Sequence, residues 1–504
     1  MNNSKIKIVS RESSLARTQA KLVGISIKEK FPKIKIIYNT IKSTGDIDQE
    51  KDITQSDSEG IFTSEISLSI EKGINDIAVH SWKDVPIKPS KSTQIFGTLK
   101  RADQRDMLFI KKSSLKDLKR KKISILTSSP RRIYNSKKVL PKLLPFSNCI
   151  INTSPIRGNM ETRLKKFLNN EIDGIIIAKA AFDRMLANKK IFDFEFEKLF
   201  HESNWLLLPL SIFPTAPGQG ALALETNNSN DHSIMLIKAI NDKTCFNQVS
   251  REKEILNCYG GGCHQKIGVT IWKNNGLEYT SYSGETMDGE KISSFKISNQ
   301  APNNNYKNID PAKLFPLDPE KTISIKRNAI NKNKEISMIK NSFIYLSRKN
   351  AIQSSPIIHR SNIVWTSGLK CWYAAVKAGY WINGSSEGLG EKNNIKLDFI
   401  MSNKIDKYKI SHNKAKSNSM KIISVYEIEK IKINEQIENK SHFFWMSPLI
   451  YNAVHNYNPN IINGFHACGP GKTYEFLLTK IKDRSKIQRF ISFKEWKDKI
   501  SENK

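Results

Sequence analysis

Apolar positions along the chain fall into two patterns: short continuous runs, and segments in which apolar residues recur three or four apart. The first predicts strands and the second helices. Ile6-Lys7-Ile8-Val9 reads as a strand ending at Ser10-Arg11-Glu12-Ser13. Ser14 to Lys30 then carries Leu15, Leu22 and Ile25 at helical spacing, with Pro32 as a stop. Ile34 to Tyr38 is a second strand. The segment from Gly45 to Gly60 has almost no apolar content and reads as a loop. Phe62, Ile66, Ile70 and Gly73 mark another helix, followed by the strand Ile77-Ala78-Val79-His80. Strands alternating with helices predict an α/β sheet with its active loops at strand ends. The pattern restarts near Asp106, with strands at Ile123–Leu126 and Gly174–Ala178. A third unit from about Asn241 holds the Gly260-Gly261-Gly262 turn and then alternating strand-like positions. Residues 299–309 look like a surface loop, and the polar, Lys-rich stretch to about Lys340 reads as a linker. Beyond it, Phe343-Ile344-Tyr345-Leu346-Ser347-Arg348 reads as a strand ending in a Ser-Arg junction, and Ile363–Ser367 and Phe443–Ser447 as a matching pair of strands ending in Ser. The last two precede helix-like stretches at Cys371–Ala378 and Leu449–Tyr457. No repeat of fixed period is present.

At 504 residues the chain allows about three or four domains. A 38% hydrophobic and 26% charged composition supports real cores and excludes wholesale disorder. No apolar run approaches the roughly 18–20 residues of a membrane span, so no membrane partner is expected. Met1-Asn2-Asn3-Ser4-Lys5 lacks the apolar stretch of a secretory signal. Six cysteines over this length are too sparse for a disulfide scaffold. The expectation is a cytoplasmic protein. The formal net charge of +32, from 81 Lys+Arg against 49 Asp+Glu, leaves two readings open. One is an anionic partner: nucleic acid, an anionic membrane face, or a small polyanion. The other is compositional drift in a sequence rich in Lys, Ile and Asn. Basic stripes interleaved with aromatics are missing, so nucleic acid is not expected.

The arginines cluster at loop-like places, and these are more informative. In Thr127-Ser128-Ser129-Pro130-Arg131-Arg132 a buried strand runs into three hydroxyl residues, then a proline suited to the first helical position, then two arginines. Cations at a helix N-terminus are unfavourable to the helix itself, which suggests a negative ligand. An ordinary cap with solvent-facing arginines is the alternative. Arg157-Gly158-Asn159-Met160-Glu161-Thr162-Arg163 and Arg11-Glu12-Ser13 are further junctions of this kind. Together they point to a ligand with several carboxylates or phosphates. His80-Ser81-Trp82-Lys83-Asp84-Val85-Pro86 places a Lys-Asp pair at a strand end, where a carboxylate can stabilise a developing cation or move a proton; a surface ion pair is the alternative. Gly260-Gly261-Gly262-Cys263-His264 puts a thiol on an uncluttered loop suited to covalent attachment. Cys258, Cys263 and His264 lie close together, but their spacing is not that of a CxxC pair and no second pair follows; no metal is expected.

These motifs, with Asp76 to Pro86 and Ala216-Pro217-Gly218-Gln219-Gly220-Ala221, resemble hydroxymethylbilane synthase (porphobilinogen deaminase) over about residues 5–300. The resemblance implies an α/β fold: two periplasmic-binding-protein-like domains around a cleft (1–99 plus 214–238; 100–213), and a small α+β cofactor-cysteine domain (239–310). A linker (311–340) and a C-terminal α/β extension (341–504) would follow. It implies a dipyrromethane cofactor on Cys263 and porphobilinogen as substrate, in a monomer. Asp84, Lys83 and Arg11 would be catalytic, with Asp84 stabilising the cation that develops as ammonia leaves. Arg11, Ser13, Arg157, Arg163 and Arg184 would bind substrate. Lys83, Ser81, Asp84, Thr127, Ser128, Ser129, Arg131, Arg132 and Gly158 would hold the cofactor. One departure stands out: the family has two lysines in the loop before Gly60-Ile61-Phe62, and those places fall on Gln55 and Glu59, with Lys51 nearby. A negative residue beside a polyanionic substrate predicts activity with weakened substrate capture.

The C-terminal segment resembles a short, divergent uroporphyrinogen-III synthase, an enzyme that acts on the deaminase product. Its signals are Ser-ended strands and a Gly-rich turn at Cys468-Gly469-Pro470-Gly471-Lys472-Thr473. That family has two full α/β domains, and this stretch reads as short for both; a structural appendage is the other reading. A P-loop would need a glycine where His466 stands. A periplasmic-type anion-binding protein would share the deaminase fold but needs no Gly-Gly-Cys263 loop.

Overall fold

The computed structural model describes residues 5–42, 63–86, 91–146, 148–261, 265–298, 306, 309–352, 358–391, 397, 400 and 405–501. The chain divides into two units. The first comprises Met1–Pro141, Phe146–Trp272 and Thr280–Phe295; the second comprises Lys142–Pro145, Lys273–Tyr279 and Lys296–Lys504.

The first unit holds two five-stranded sheets built alike. In one, β1 (Lys5–Arg11), β2 (Lys35–Ile41) and β3 (Ile77–Ser81) run parallel. β4 (Thr93–Gly97) and β10 (Leu222–Asn227) complete the order β2-β1-β3-β10-β4, with β10 antiparallel to β3. In the other, β6 (Lys122–Leu126) lies parallel to β7 (Ile150–Ser154) and β8 (Gly174–Ala178). β5 (Asp106–Lys111) and β9 (Ser203–Leu207) give the order β7-β6-β8-β5-β9. In each sheet an antiparallel strand lies beside the third parallel strand: β10, later in the chain, beside β3, and β5, earlier in the chain, beside β8. All five residues of β8 are buried, as expected for a strand covered on both faces. The α/β reading with two sheet domains therefore holds.

Helix α1 (Ser14–Lys30) has the expected bounds, but its buried face differs from the one its bulky residues suggest. Ala16, Ala20, Val23 and Ile27 face the core, whereas Ile25 is 53% exposed and Leu22 39%. Alanines let the helix axis approach the sheet closely, and the larger side chains are left outside. A third sheet, β11 (Gly268–Asn274), β12 (Leu277–Glu285) and β13 (Lys291–Ile297), is a meander preceded by the helix Lys243–Asn257.

The second unit contains two sheets. One is parallel, in the order β14 (Leu314–Phe315), β21 (His442–Trp445), β22 (Phe465–Cys468) and β23 (Ile487–Arg489). The other has six strands in the order β15-β20-β19-β16-β17-β18. These are β15 (Ile323–Ala329), β20 (Lys421–Ile433), β19 (Lys407–His412), β16 (Phe343–Leu346), β17 (Ile363–Thr366) and β18 (Gly384–Ser385). Two expectations are corrected here. Residues 311–340 are not a bare linker: they supply β14 and β15, and β15 forms a seven-residue antiparallel ladder with β20. The C-terminal stretch is also long enough for two α/β layers, because β14 and β15, from the presumed linker, each add a strand to one of them.

Candidate functional site

The strand-to-helix junctions singled out above form as expected, and the backbone explains why. β1 ends at Arg11, and Ser13 caps α1 by accepting the Ala16 N–H at 3.3 Å. β6 ends at Leu126. Thr127 Oγ1 accepts the Ser129 N–H at 3.3 Å, and the helix Pro130–Leu143 begins with proline at its first position. Ser128 is held differently: its hydroxyl donates to the Ile156 carbonyl and accepts the Ile156 N–H, both at 2.8 Å. It thereby pins the loop that leads to Arg157. Gly158, at φ +107°, is required there, because a Cβ would sit 2.9 Å from the Thr162 methyl carbon. Asn159 then caps the helix Met160–Asn169 through the Thr162 N–H at 2.9 Å.

β3 runs into the single turn Trp82–Asp84. Trp82 is buried, donates its backbone N–H to the Ala221 carbonyl at 3.1 Å and packs on Phe246. The loop 216–221 passes so close that a Cβ on Gly218, at φ +79°, would lie 3.1 Å from the Lys83 nitrogen. Ser81 exchanges hydrogen bonds with the Gln19 side chain at 3.2 and 3.3 Å. Lys83 and Asp84 are thus carried on a turn clamped from both sides.

Electrostatics bring the junctions together. Burial pushes the Lys83 ammonium below its ordinary value; Asp84 opposes this, while Arg132 and Arg163 push the same way. Arg163 falls to about 10 through burial and the nearness of Arg132, with Asp84 opposing and Arg11 adding. Arg11, Lys83, Asp84, Arg132 and Arg163 therefore share one field, in which the carboxylates of Asp84 and Asp106 face a larger number of cations. Arg163 is aimed by its Nε–H, which donates to the Gly158 carbonyl at 2.8 Å.

Two arginines have partners that the sequence did not reveal. Arg131 and Arg132 both hold Asp106, the fully buried first residue of β5. Arg131 Nη1 lies at 2.8 Å, and Arg132 Nη2 and Nε at 2.7 and 3.2 Å. Burial would raise the Asp106 carboxyl, but the two guanidinium groups hold it far below the usual carboxylate range. Gln219 adds a bond to Asp106 at 2.9 Å. Arg184 donates to the Gly220 carbonyl at 3.1 Å and falls to about 10 through burial, with Asp183 opposing. Arg157 is half-buried, and its carbonyl accepts from Lys166 at 3.4 Å. A further buried pair, Arg101–Glu252, ties the 216–221 loop to the helix Lys243–Asn257: Glu252 accepts from Arg101 at 2.7 and 2.9 Å and from the Gly218 N–H at 2.8 Å. The sequence signal for Asp106 was available, since it is an acidic residue opening an otherwise apolar strand.

Cys263 and His264 lie outside the described residues, as do Gln55 and Glu59. Among the described residues no group of His, Cys, Asp and Glu could hold a metal ion, and no helix is long and apolar enough to cross a membrane. The residues do fit a polycarboxylate cofactor: Arg131 Nε is a buried donor without a hydrogen-bond partner among the described residues, beside a cation excess that Asp84 and Asp106 together do not balance.

A relative from Picrophilus torridus, "Probable porphobilinogen deaminase", is 34% identical over 295 residues, which are 57% of this chain and 94% of that one. The chain belongs to the porphobilinogen deaminase family. The family model described as "Porphobilinogen deaminase, dipyromethane cofactor binding domain" matches residues 6–235. The porphobilinogen deaminase of Clostridium novyi is 33% identical over 57% of this chain and 90% of its own. That of Caldicellulosiruptor saccharolyticus is 31% identical over 57% and 91%. Membership makes the matched part a transferase of porphyrin synthesis that uses a dipyrromethane cofactor and takes porphobilinogen as substrate.

Proposed function

We propose that residues 1–310 are a hydroxymethylbilane synthase that deaminates four porphobilinogen molecules and joins them head to tail into linear hydroxymethylbilane. The observation that carries this is Asp84, a carboxylate within reach of Lys83, Arg163 and, through Arg163, Arg11. Loss of ammonia from porphobilinogen leaves positive charge on the pyrrole, and Asp84 is placed to stabilise it in a site where charges are desolvated. Lys83, Arg11, Ser13, Arg157, Arg163 and Arg184 would meet the acetate and propionate groups of substrate and growing chain. The cofactor would be held by Cys263 through a thioether and bound by Ser81, Thr127, Ser129, Arg131 and Arg132. Ser128 and Gly158 would shape the loop behind them. Bound dipyrromethane supplies the pyrrole terminus from which the chain is extended. The domains follow as 1–99 plus 214–238, 100–213 and 239–310, in a cytoplasmic monomer.

Intact mass of the purified protein beside Cys263→Ser tests this reading. A mass excess of two pyrrole units in the wild type, absent from the variant, is the expected result. A wild type that stays unmodified after incubation with porphobilinogen refutes it, and leaves an anion-binding protein of the same fold.

For the C-terminal unit we propose a uroporphyrinogen-III synthase that receives the linear product. Two α/β layers, between which the chain passes from β14 to β15 and back from β20 to β21, support this, as do the serines that follow β16, β17 and β21. Incubation with porphobilinogen should then give the type III cyclic product. Type I alone, the product of unassisted closure, would refute it.

A further inference from the structure

The Gly-Pro-Gly-Lys turn has no nucleotide to hold. His466 stands where a P-loop needs glycine, and its ring is fully buried with Nδ1 accepting from Trp445 Nε1 at 2.9 Å. Instead the turn faces the carboxyl ends of the six-stranded sheet. Gly471 and the segment Gly388–Gly390 approach backbone to backbone, with a Cβ on Gly471 meeting Gly388 and Gly390 at 3.4 Å. Across this contact Glu391 takes two lysines at once: Lys472, the first residue of the helix Lys472–Lys480, on Oε2 at 2.6 Å, and Lys409 of β19 on Oε1. Both ammonium groups also donate to the Lys416 carbonyl, at 3.0 and 3.1 Å. Lys409 is 5% exposed and Glu391 13%. One buried cation, Lys409, and one that is 44% exposed, Lys472, thus share one carboxylate, and a lysine opens a helix whose own dipole disfavours it. Burial pushes Lys409 down to about 8, with Glu391 opposing and Lys472 adding.

Next to this cluster the charge is again positive. His412, at the end of β19, feels Arg348, Lys409, Lys414 and Arg327, and burial with these cations pushes it down to about 4. Its Nδ1 is shielded and has no hydrogen-bond partner among the described residues. Arg348 follows the end of β16 and makes no ion pair among the described residues. Ligands of parallel α/β sheets bind outside the carboxyl ends of the strands; His412 ends β19 and Arg348 follows the end of β16, with Lys409 three residues before His412 on the same strand.

We propose that Lys409, Lys472, Arg348 and His412 form a polycarboxylate-binding site in the C-terminal unit, with Glu391 acting as an internal carboxylate that occupies the lysine pair until a ligand carboxylate displaces it. The ligand class is an anion with at least two separated carboxylates. A tetrapyrrole carrying acetate and propionate groups meets this requirement, and that choice of probe rests on the reading of this unit as a synthase.

The test is titration of uroporphyrin I, an octacarboxylate tetrapyrrole, into the full chain, followed by its fluorescence. Any binding in the deaminase cleft is common to all variants. Glu391→Gln removes the competing charge and should tighten binding roughly tenfold, and Lys472→Gln should weaken it roughly tenfold, the size of one charge-assisted hydrogen bond. Lys482→Gln, an exposed lysine elsewhere, should leave it unchanged. Thermal unfolding of each variant confirms that it is folded. Unchanged affinity in Glu391→Gln and Lys472→Gln, or an equal loss in Lys482→Gln, overturns the site. Failure of the synthase reading is seen separately: these affinity shifts without type III product refute the activity and leave the site standing.

Discussion

Replacement of Asp106 by asparagine is the sharpest perturbation of the deaminase unit. The carboxylate is fully buried and receives Arg131, Arg132 and Gln219 through four bonds of 2.7–3.2 Å. Asp106→Asn keeps the shape but removes the only charge that these bonds show neutralising the two guanidinium groups. It also turns an acceptor into an amide that faces a donor. Breaking a buried ion pair from one side costs about 3–5 kcal/mol, because the remaining charge stays desolvated. Hydrogen exchange of the β5 amides, Met107–Lys111, reads this locally and avoids assuming that both units unfold together. Their opening free energy should fall by that amount. The pH dependence has a defined sign. The folded value of Asp106 lies below the ordinary 3.8, so its stabilisation is complete above 3.8 and is lost as pH falls through the folded value. The gap between wild type and variant should stay constant from neutral pH down to about 3.8 and narrow progressively below it, toward the folded value. A loss under about 1 kcal/mol, or a gap that narrows well above 3.8, would refute the assignment of Asp106 as the charge anchor.

Other outcomes follow from the same geometry. Asp84→Asn should lower kcat about 10²–10³-fold while intact mass still shows the cofactor; a normal kcat would remove Asp84 from the chemistry. Gly158→Ala forces a Cβ to 2.9 Å from Thr162 at φ +107° and should cost about 1–3 kcal/mol, read by thermal unfolding, with a higher KM because Arg163 loses its aim. Glu59→Lys, which restores the family's charge, should lower the apparent KM for porphobilinogen; an unchanged value ends the argument for weakened capture.

Local signals in the chain were enough to place β1, α1, β3, β6, β8 and the capped junctions at Ser13, Ser129 and Asn159, because short apolar runs and cap chemistry act over a few neighbouring residues. The cationic character of the cleft was equally legible, as Arg11, Lys83, Arg132 and Arg163 each sit at such a junction. The sequence alone could not say which arginines keep free donors and which are neutralised. Arg131 and Arg132 look alike in their motif, yet both are committed to Asp106, about 25 residues earlier, and that pairing exists only once β5 lies beside β8. The same holds for α1, where Ile25 and Leu22 mark the apolar pattern but the alanine face packs. It holds again for residues 311–340: polar and Lys-rich, they carry only the short alternation Ile323-Ser324-Ile325, and β15 extends to Ala329 because β20 completes its backbone hydrogen bonds. Local chemistry determined the elements and their ends. Partners distant in sequence decided which charges are buried, which pair, and which stay available to a ligand.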